Sequence, residues 1–354
     1  MTDFDVAVIG LGLAGSATAW AATGRGYSVA AFEAFAPGHR RGSSHGHSRI
    51  FRRAYRDPFY VELTGRARRL WRTLEDAAGE RLIEPTGGID KGDLAHFAPM
   101  AEALESAGVA AEMLEPDAAA ARWPGFVFDG PVLFQPDAGV IEPERAIAAM
   151  TRLAAAAGAK LSYEDRVSAL ERDGDGVRLE STTGSWRART AVVAAGGWTA
   201  PLLSGLVELP TLTVSQQQAF FFRPHERRPW PTFIHEERSI YGLPEGPLVK
   251  VAEHMRGKET AADTRDGVVE PAARERVVSY VRELLPGLDP VPQDELTCLY
   301  TTTENEDFVI DRRGPIVVCS ACSGHGAKFA PLTGELVADL IDGRPPLPRF
   351  ALPA

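Results

Sequence analysis

The sequence predicts a mixed α/β protein, in which a Rossmann-like nucleotide-binding domain is interleaved with a domain built on an antiparallel sheet. Two observations predict this fold. A strand, a glycine-rich turn and a helix follow one another in 5–26, and a second strand–glycine–helix unit lies in 308–341. Between these units, alternating apolar and polar residues in 211–223 and 239–254 are typical of antiparallel strands.

The first unit carries the pattern G-x-G-x-x-G in "GLGLAG", directly after the β-branched run 5–9. A helix that begins here offers free N–H groups and a partial positive charge to a pyrophosphate. The next strand, "YSVAAFEA", carries Glu33 near its end, where a carboxylate can accept hydrogen bonds from a ribose 2′-hydroxyl. The predicted dinucleotide contacts are Gly10, Gly12, Leu13, Ala14, Gly15 and Glu33.

Local signals predict the other helices and strands. Proline fits the first turn of a helix, and an acidic residue before it can cap the helix. Helices are expected to begin at Asp57-Pro58, Pro143 and about Pro271. Apolar, β-branched runs predict strands in 190–198 and 308–321, and a helix follows over 331–341.

One sheet can take strands from the start of the chain, from "AVVAAGG" and from "PIVVCSA", so both domains are expected to be discontinuous. This arrangement suits FAD, whose extended form needs an adenine site and a separate flavin site on one sheet. We predict an FAD-binding domain from 1–86, 140–210 and 300–354, and a substrate domain from 87–139 and 211–299.

The bulk composition limits the classes of function. The 354 residues carry a formal net charge of −10, which disfavours a nucleic-acid partner because phosphates need a basic surface. The three cysteines do not form a secreted disulfide framework, and the first residues lack the features of a signal peptide. No run reaches the roughly 18 apolar residues of a membrane span. We therefore expect a cytoplasmic protein without a membrane or nucleic-acid partner.

Six segments resemble one known family. They are "GLGLAGSA", "SSHGHSRIFRRAY", "AAGGW", "IYGLP…VKVAEH", "LTCLYTTTENEDFVID" and "SGHGAKF". Together they resemble the monomeric sarcosine oxidase and N-methyltryptophan oxidase group of the D-amino-acid-oxidase-like FAD-dependent oxidoreductases. The resemblance implies a monomeric flavin amine oxidase that oxidises the C–N bond of a secondary α-amino acid to an imine and reduces O₂ to hydrogen peroxide.

The resemblance also implies that FAD is covalently bound. In this family the cysteine of a C-x-Y-T segment carries the flavin as an 8α-S-cysteinyl bond, and that cysteine is Cys298 here. From the residues alone, a lone cysteine in "ELTCLYTT" is a small buried hydrophobic residue. The resemblance places further residues against the cofactor: Ser43, Ser44, His45, Ser48, Arg49, Val167, Ala195, Gly196 and Trp198.

The turn "CSACSGHGAKF" is expected to face the flavin ring. Gly324 and Gly326 let the backbone approach the ring, and the following helix directs its N-terminus to the pyrimidine side, where negative charge develops on reduction. His325 either donates a hydrogen bond there or has a structural role. Cys319 and Cys322 have the spacing of a metal or redox pair, but no second ligand pair accompanies them, so we expect packing residues and no metal.

The resemblance gives roles to the remaining charged and aromatic residues. Arg52 and Lys328 bind the substrate carboxylate, for which the planar guanidinium of arginine is suited. Lys250 activates oxygen, because a cation stabilises the superoxide that forms first. His254 lies four positions further on, which places it on the same face of a strand. The aromatic residues of the substrate pocket are Tyr241 and Tyr300.

The sequence leaves the substrate open among sarcosine, larger N-methyl amino acids, cyclic imino acids and glycated amino acids, and a biosynthetic oxidase is compatible as well. A flavin dehydrogenase that passes electrons to another acceptor is an alternative to the oxidase. An NAD-dependent dehydrogenase would use only the first βαβ unit, and it would leave "SGHGAKF" and "CLYTT" unexplained.

Overall fold

The computed structural model describes residues 2–353, which form eight α-helices and twenty β-strands. The helices are α1 (Leu13–Gly24), α2 (Pro58–Ala78), α3 (Leu94–Ser106), α4 (Pro116–Arg122), α5 (Pro143–Ala156), α6 (Thr199–Leu203), α7 (Pro271–Leu284) and α8 (Ala330–Ile341). The strands are β1 (Phe4–Ile9), β2 (Val29–Phe32), β3 (Arg49–Phe51), β4 (Ile83–Glu84), β5 (Gly88–Lys91), β6 (Glu112–Leu114), β7 (Val132–Gln135), β8 (Gly139–Ile141), β9 (Lys160–Ser162), β10 (Val167–Asp173), β11 (Gly176–Ser181), β12 (Gly184–Val193), β13 (Thr213–Phe222), β14 (Thr232–His235), β15 (Ile240–Glu245), β16 (Leu248–Glu253), β17 (Lys258–Glu259), β18 (Asp294–Thr302), β19 (Val309–Arg313) and β20 (Ile316–Ser320).

The first sheet joins strands from both ends of the chain. Its parallel core has the order β20–β12–β1–β2–β9, and β10, β11 and β19 add antiparallel pairs. Val6 and Val8 of β1 pack against α1, α5 and α8, whereas Ala7 and Ile9 pack in a second cluster with residues of β10 and β11. The predicted mixed α/β fold, with one sheet that takes strands from distant segments, is confirmed.

Parallel pairing brings the predicted cofactor segments together. The carboxyl ends of β1, β12 and β20 meet at one edge of the sheet, because all three strands run in the same direction. The turns that follow these strands therefore begin side by side. A Cβ on Gly10 would lie only 2.6 Å from the carbonyl oxygen of Ala194, which shows how closely two of these turns approach.

The second sheet is mainly antiparallel and has the order β17–β13–β16–β15–β14–β5–β7–β6, with β18 beside β13. Val249 and Val251 of β16 pack in one hydrophobic cluster with residues of α7. Alternate residues of a strand face opposite sides, so Lys250 points away from α7 and toward the first sheet's glycine edge. A third sheet has the order β3–β8–β4, and Arg49 is the first residue of β3. The predicted domain boundaries stay a prediction.

Most local signals were read correctly, with two errors. The strand predicted over 190–198 ends at Val193, and Gly196–Trp198 form a 3₁₀ helix instead. α2, α5 and α7 begin at the predicted prolines, and the Asp57 carboxylate caps α2 by accepting the Phe59 N–H at 2.9 Å. The segment 308–321, predicted as one strand, is a hairpin of β19 and β20 instead. Gly314 adopts a φ of +62° at the turn and the proline at 315 follows it, so an extended chain cannot continue. None of the helices in 2–353 is long and apolar enough to cross a membrane.

Candidate active site

One cavity of about 1190 Å³ lies between the glycine edge of the first sheet and the inner face of the second. The residues predicted to bind cofactor or substrate line it, with the single exception of Gly15. Segments from opposite ends of the chain thus converge, since both Cys298 and Lys328 face the same space. Gly15 has a packing role instead: a Cβ there would lie 1.8 Å from the carbonyl oxygen of Gly10, so only glycine lets the helix start so close to the strand.

The N-terminus of α1 is suited to bind an anion. Gly12 is its N-cap and provides no side-chain cap, so N–H groups of the first turn point into the cavity. The Leu13 N–H donates to the Ser44 hydroxyl at 3.1 Å, which ties the loop of residues 42–48 to this helix. Ser44 also occupies the space a Cβ on Gly12 would need, at 2.9 Å. The glycine turn and this loop form one wall of the cavity.

Glu33 is buried beside this turn. Its carboxylate accepts the Leu11 N–H at 2.8 Å and the Phe35 N–H at 3.2 Å, and His39 lies 3.4 Å away. Burial acts to raise the pKa of Glu33, but the hydrogen bonds from His39 and Leu11 outweigh it and lower the pKa. The carboxylate is therefore charged at neutral pH and can accept further hydrogen bonds from a ribose.

The loop of residues 42–48 brings His45 and Arg49 into the cavity. Arg49 donates to the carbonyl oxygens of Ser43, His45 and Ser48 at 2.6–2.8 Å. His45 is only 5% exposed, and neither ring nitrogen has a partner among residues 2–353. Burial, followed by the positive charge of Arg49, lowers the pKa of His45 to about 3, so the ring is neutral. Buried polar atoms are rarely left without a partner, so these nitrogens indicate a polar ligand.

Cys298 lies opposite this loop on β18. Its neighbour Leu299 accepts a hydrogen bond from the Ser43 hydroxyl at 2.5 Å, which fixes the strand against the loop. Burial raises the pKa of the Cys298 thiol, and the charges of Arg49 and Lys250 oppose that rise. Cys319 is a buried core residue as predicted. Both Cys319 and Cys322 also line the cavity, which the packing role predicted for them did not indicate.

Lys250 is buried in an ion pair. Its ammonium donates to the Ser48 carbonyl oxygen at 2.9 Å, to the Ser48 hydroxyl at 2.8 Å and to the Glu245 carboxylate at 3.2 Å. Burial, together with the charge of Arg49, lowers the pKa of Lys250 to about 8, while Glu245 acts to raise it. The ammonium is therefore charged at neutral pH and loses its proton in the alkaline range.

Arg52 is also paired with a carboxylate. Its guanidinium donates to Asp90 at 2.7 Å, and Asp90 accepts a second hydrogen bond from Gln135 at 2.9 Å. Gln135 in turn accepts the backbone N–H groups of Arg53 and Ala54, which fixes the chain around Arg52. Only one guanidinium nitrogen donates within 2–353, so the others remain available to a ligand in the cavity.

Lys328 is buried without a carboxylate partner among residues 2–353. Its ammonium donates to the Tyr55 hydroxyl and to the His325 carbonyl oxygen, both at 3.0 Å. Burial, together with the charge of Arg52, lowers the pKa of Lys328 well below its ordinary value. A ligand carboxylate would supply the missing counter-charge.

His325 lines the cavity, and of the two roles predicted for its side chain the contacts support the structural one. One ring nitrogen lies 3.0 Å from the Tyr55 hydroxyl, and the other lies 3.0 Å from the Glu306 carbonyl oxygen. The ring also stacks on Phe308 with centroids 4.9 Å apart. Because the protein occupies both nitrogens, His325 holds Tyr55 in place and has no free donor for a flavin. The backbone of the turn, at Gly324 and Gly326, still faces the cavity.

An aromatic wall stands beside these cations. The ring of His254 lies 6.4 Å from that of Tyr241 and 5.8 Å from that of Tyr300, measured between centroids. Burial raises the pKa of Tyr241 to about 12 and lowers that of His254 to about 4, so the three rings are uncharged. A Cβ on Gly324 would lie 2.7 Å from both His254 and Tyr300. The turn that contains Gly324 therefore packs directly on this aromatic wall.

The side chains present fit FAD. The glycine turn and Glu33 suit the pyrophosphate and the ribose, and the partnerless His45 and the uncompensated charge of Arg49 lie at the Cys298 end of the same cavity. Positive charge at that end suits a ring on which negative charge develops during reduction. Sequence reasoning missed three partner residues, Tyr55, Asp90 and Glu245. Tyr55 stood within a segment that carried the resemblance, whereas the two acids had no local signal.

The comparisons with known proteins agree with this site. The family model "FAD dependent oxidoreductase" matches residues 5–340. Monomeric sarcosine oxidase of Streptomyces avermitilis is 34% identical over 359 residues, which cover 95% of this chain and 93% of that protein. N-methyl-L-tryptophan oxidase of Salmonella heidelberg is 32% identical, with coverage of 97% and 96%. The solved structure of NikD, an unusual amino acid oxidase essential for nikkomycin biosynthesis, is 26% identical with a TM-score of 0.88 and covers 99% of this chain and 98% of its own. This chain belongs to the FAD-dependent oxidoreductases, in the group that contains monomeric sarcosine oxidase and N-methyl-L-tryptophan oxidase.

Proposed function

We propose that the protein is an FAD-dependent amine oxidase that converts the C–N bond of a secondary α-amino acid to an imine, with O₂ reduced to hydrogen peroxide. The observation that carries this proposal is the position of Arg52 and Lys328. Both cations face the cavity that holds the glycine turn, and Lys328 has no counter-charge among residues 2–353. An anionic group next to an oxidisable carbon satisfies both features, and an α-amino acid carries one.

The substrate carboxylate binds Arg52 and Lys328 in this proposal. Asp90 holds one guanidinium nitrogen of Arg52, so the free nitrogens are directed at the ligand. The amine then lies against Tyr241 and Tyr300, whose rings are uncharged and exclude water. An uncharged wall favours the free amine over the ammonium, because an isolated cation is costly to bury. No strong base is needed if the substrate enters as the free amine.

FAD is held by the glycine turn, Glu33 and the loop of residues 42–48. When bound, it would accept the two electrons and two protons that leave the CH–NH group as the imine forms, and it would pass them to dioxygen as hydrogen peroxide. Arg49 keeps its positive charge toward the ring, since its three partners are neutral carbonyl oxygens. We include in the proposal a covalent bond to Cys298, which lines the cavity beside Arg49. Arg49 and Lys250 favour the thiolate that such a bond requires.

Lys250 is the proposed site of oxygen activation. A charged ammonium stabilises the superoxide anion that forms in the first electron transfer. Its pKa, lowered to about 8 by burial, keeps most of the lysine charged at neutral pH. The oxygen step should therefore slow as the pH rises above about 8.

We further propose a monomer in the cytoplasm. The name of the Streptomyces relative describes a monomeric enzyme. The three cysteines are all free thiols, as is usual in a reducing compartment. Elution as a dimer in size-exclusion chromatography with light scattering would contradict the first part of this proposal.

A panel of N-alkyl and cyclic amino acids tests the proposed reaction. Each compound is mixed anaerobically with the purified protein while the flavin absorbance is followed, and peroxide is measured after air is admitted. We expect bleaching by at least one secondary amino acid and stoichiometric peroxide. Bleaching without peroxide would indicate a dehydrogenase, and no bleaching by any member of the panel would refute the amine oxidase.

A further inference from the structure

Glu245 lies at the end of β15, beside the lysine of β16. Leu243 is directly opposite Lys250 in the antiparallel register, and Glu245 is two residues further along the same strand face. Its carboxylate lies 3.2 Å from the Lys250 ammonium and accepts the Ser48 hydroxyl, which in turn accepts from Lys250 at 2.8 Å. The side chains of the lysine and the glutamate are only 5% and 12% exposed. The three residues form a closed triangle at the cavity wall.

The triangle uses all the donors of the ammonium. Lys250 has three N–H groups, and its three partners are two atoms of Ser48 and one of Glu245. The lysine therefore cannot rotate freely and its position is set by its neighbours. The same contacts stabilise the charged form of Glu245. Burial acts to raise the pKa of its carboxyl group, but the Lys250 charge and the Ser48 hydroxyl outweigh burial and lower that pKa.

The other charged or titratable groups around Lys250 do not replace Glu245. Arg49 from β3 repels the ammonium, and His45 of the neighbouring loop is neutral. Cys298 from β18 is a buried thiol whose raised pKa keeps it mostly uncharged. Glu245 is the one carboxylate within 4 Å of the ammonium among residues 2–353. It is therefore the main group that retains the lysine proton.

We propose that Glu245 is a positioning residue for Lys250: bridged by Ser48, it fixes the ammonium at the cavity wall and extends the oxygen reaction to alkaline pH. This inference rests on the proposed role of Lys250 in the oxidase. The benefit follows from the two half-reactions. The amine must be uncharged, which is favoured at high pH, whereas oxygen activation needs a protonated lysine. By keeping Lys250 protonated at higher pH, Glu245 allows a protonated lysine and an uncharged amine to be present at the same pH.

The test is the pH dependence of flavin reoxidation in Glu245→Gln. The enzyme is reduced anaerobically with substrate and mixed with oxygenated buffer from pH 6 to 10. The rate of the wild type should fall above about pH 8. In the variant the midpoint should move at least about one unit lower, so that at pH 8 the charged fraction drops from about one half to about one tenth, a roughly fivefold loss of rate. At pH 6 the variant should be as fast as the wild type or faster, because the opposing charge is gone.

A second readout does not depend on turnover. Loss of a charge near the ring changes the absorbance of oxidised flavin, so a pH titration of the resting enzyme should show the same two midpoints and no transition in Lys250→Met. Glu253→Gln is the matched control, because this carboxylate lies on the adjacent strand but pairs with Arg276 at 2.7 Å. It should keep the wild-type midpoint. If Glu245→Gln does not retain flavin, Glu245→Asp keeps the charge at a greater distance and should give an intermediate midpoint.

The outcomes separate this inference from the proposed function. If Lys250→Met reoxidises as fast as the wild type, the oxygen site itself is wrongly placed. If Lys250→Met is slow but Glu245→Gln keeps the wild-type midpoint, or Glu245→Asp shows no shift where only that variant can be measured, the role of Glu245 is refuted alone. In the double variant, the Glu245 substitution should add nothing to the effect of Lys250→Met, because it acts only through the lysine.

Discussion

Replacement of Lys328 by methionine should weaken substrate binding while leaving the fold intact or more stable. Methionine keeps the length of the side chain and removes its charge. In the resting protein the buried ammonium has two neutral hydrogen-bond acceptors and no carboxylate partner within 2–353. The charge is thus a cost to folding that a bound carboxylate would offset.

The two effects can be sized separately. A carboxylate oxygen at about 2.8 Å from the ammonium would interact by about 6 kcal/mol at an effective dielectric constant of about 20. Desolvation of both ions cancels part of this, and truncation of one partner of such a pair costs about 2–5 kcal/mol. The dissociation constant of a carboxylate ligand should therefore rise by between about 30-fold and several thousand-fold. In folding, loss of two hydrogen bonds costs about 2 kcal/mol, and removal of a buried unpaired charge returns several.

The stability gain should depend on pH. The folded protein binds the Lys328 proton more weakly than the unfolded chain, because burial lowers the pKa of the lysine. The unfolded state then holds more protons, so the stability of the wild type rises with pH. The advantage of Lys328→Met should be largest at acid pH, where Lys328 is protonated in both states, and should vanish as the pH approaches the ordinary pKa of lysine.

Anaerobic titration of the flavin absorbance with a carboxylic acid that lacks an oxidisable amine measures the affinity, and urea unfolding at two pH values measures the stability. Lys258→Met is the matched control, because this exposed lysine pairs with Asp266 outside the cavity. If Lys328→Met binds the acid as tightly as the wild type, or weakens the acid and its neutral amide equally, Lys328 is not the carboxylate site.

Three further predictions concern the ring, the turn and the pH profile. Acid precipitation should leave the yellow colour in the wild-type pellet and release it from Cys298→Ala, whereas free flavin from the wild type would exclude the covalent bond. Gly324→Ala should lower the free energy of unfolding in urea by about 1–3 kcal/mol, because its Cβ would meet His254 and Tyr300 at 2.7 Å with φ at +73°; unchanged stability would contradict the close packing. In stopped-flow experiments, anaerobic reduction of the flavin should speed up with pH as the substrate amine loses its proton. Reoxidation should slow above about pH 8, because Lys250 loses its proton there. Parallel pH profiles for the two steps would contradict the assignment of separate groups.

Both ends of the cofactor site were predictable because their signals are local. An apolar run, a glycine turn and a helix start lie within about fifteen residues at each end of the chain. Parallel pairing of β1, β12 and β20 then places the turns side by side, as the strand pattern predicted. The hairpin in 308–321 was missed because the apolar period on both sides of Gly314 is that of one long strand.

The partners of the functional cations were not predictable, because no local motif marks either carboxylate: Asp90 is 38 positions from Arg52, and Glu245 is only five from Lys250. Asp90 lies between glycines in "GGIDKGD" and has the local pattern of an exposed turn, yet it is buried on β5 beside Arg52. Glu245 in "LPEGPL" has the same pattern and closes the triangle with Lys250 and Ser48. Only the three-dimensional pairing of strands decides which carboxylate meets which cation.

Lys250 and Lys328 differ in whether they have a permanent carboxylate partner, and this difference matches how long the negative charge that each would meet persists. The superoxide proposed to form near Lys250 is transient, so the lysine must be held and kept charged by a permanent partner, Glu245. The substrate carboxylate stays throughout the turnover, so Lys328 can remain without a permanent carboxylate partner until the ligand supplies the counter-charge. A permanent carboxylate beside Lys328 would compete with the substrate for the same charge, which is a physical reason for its absence among residues 2–353.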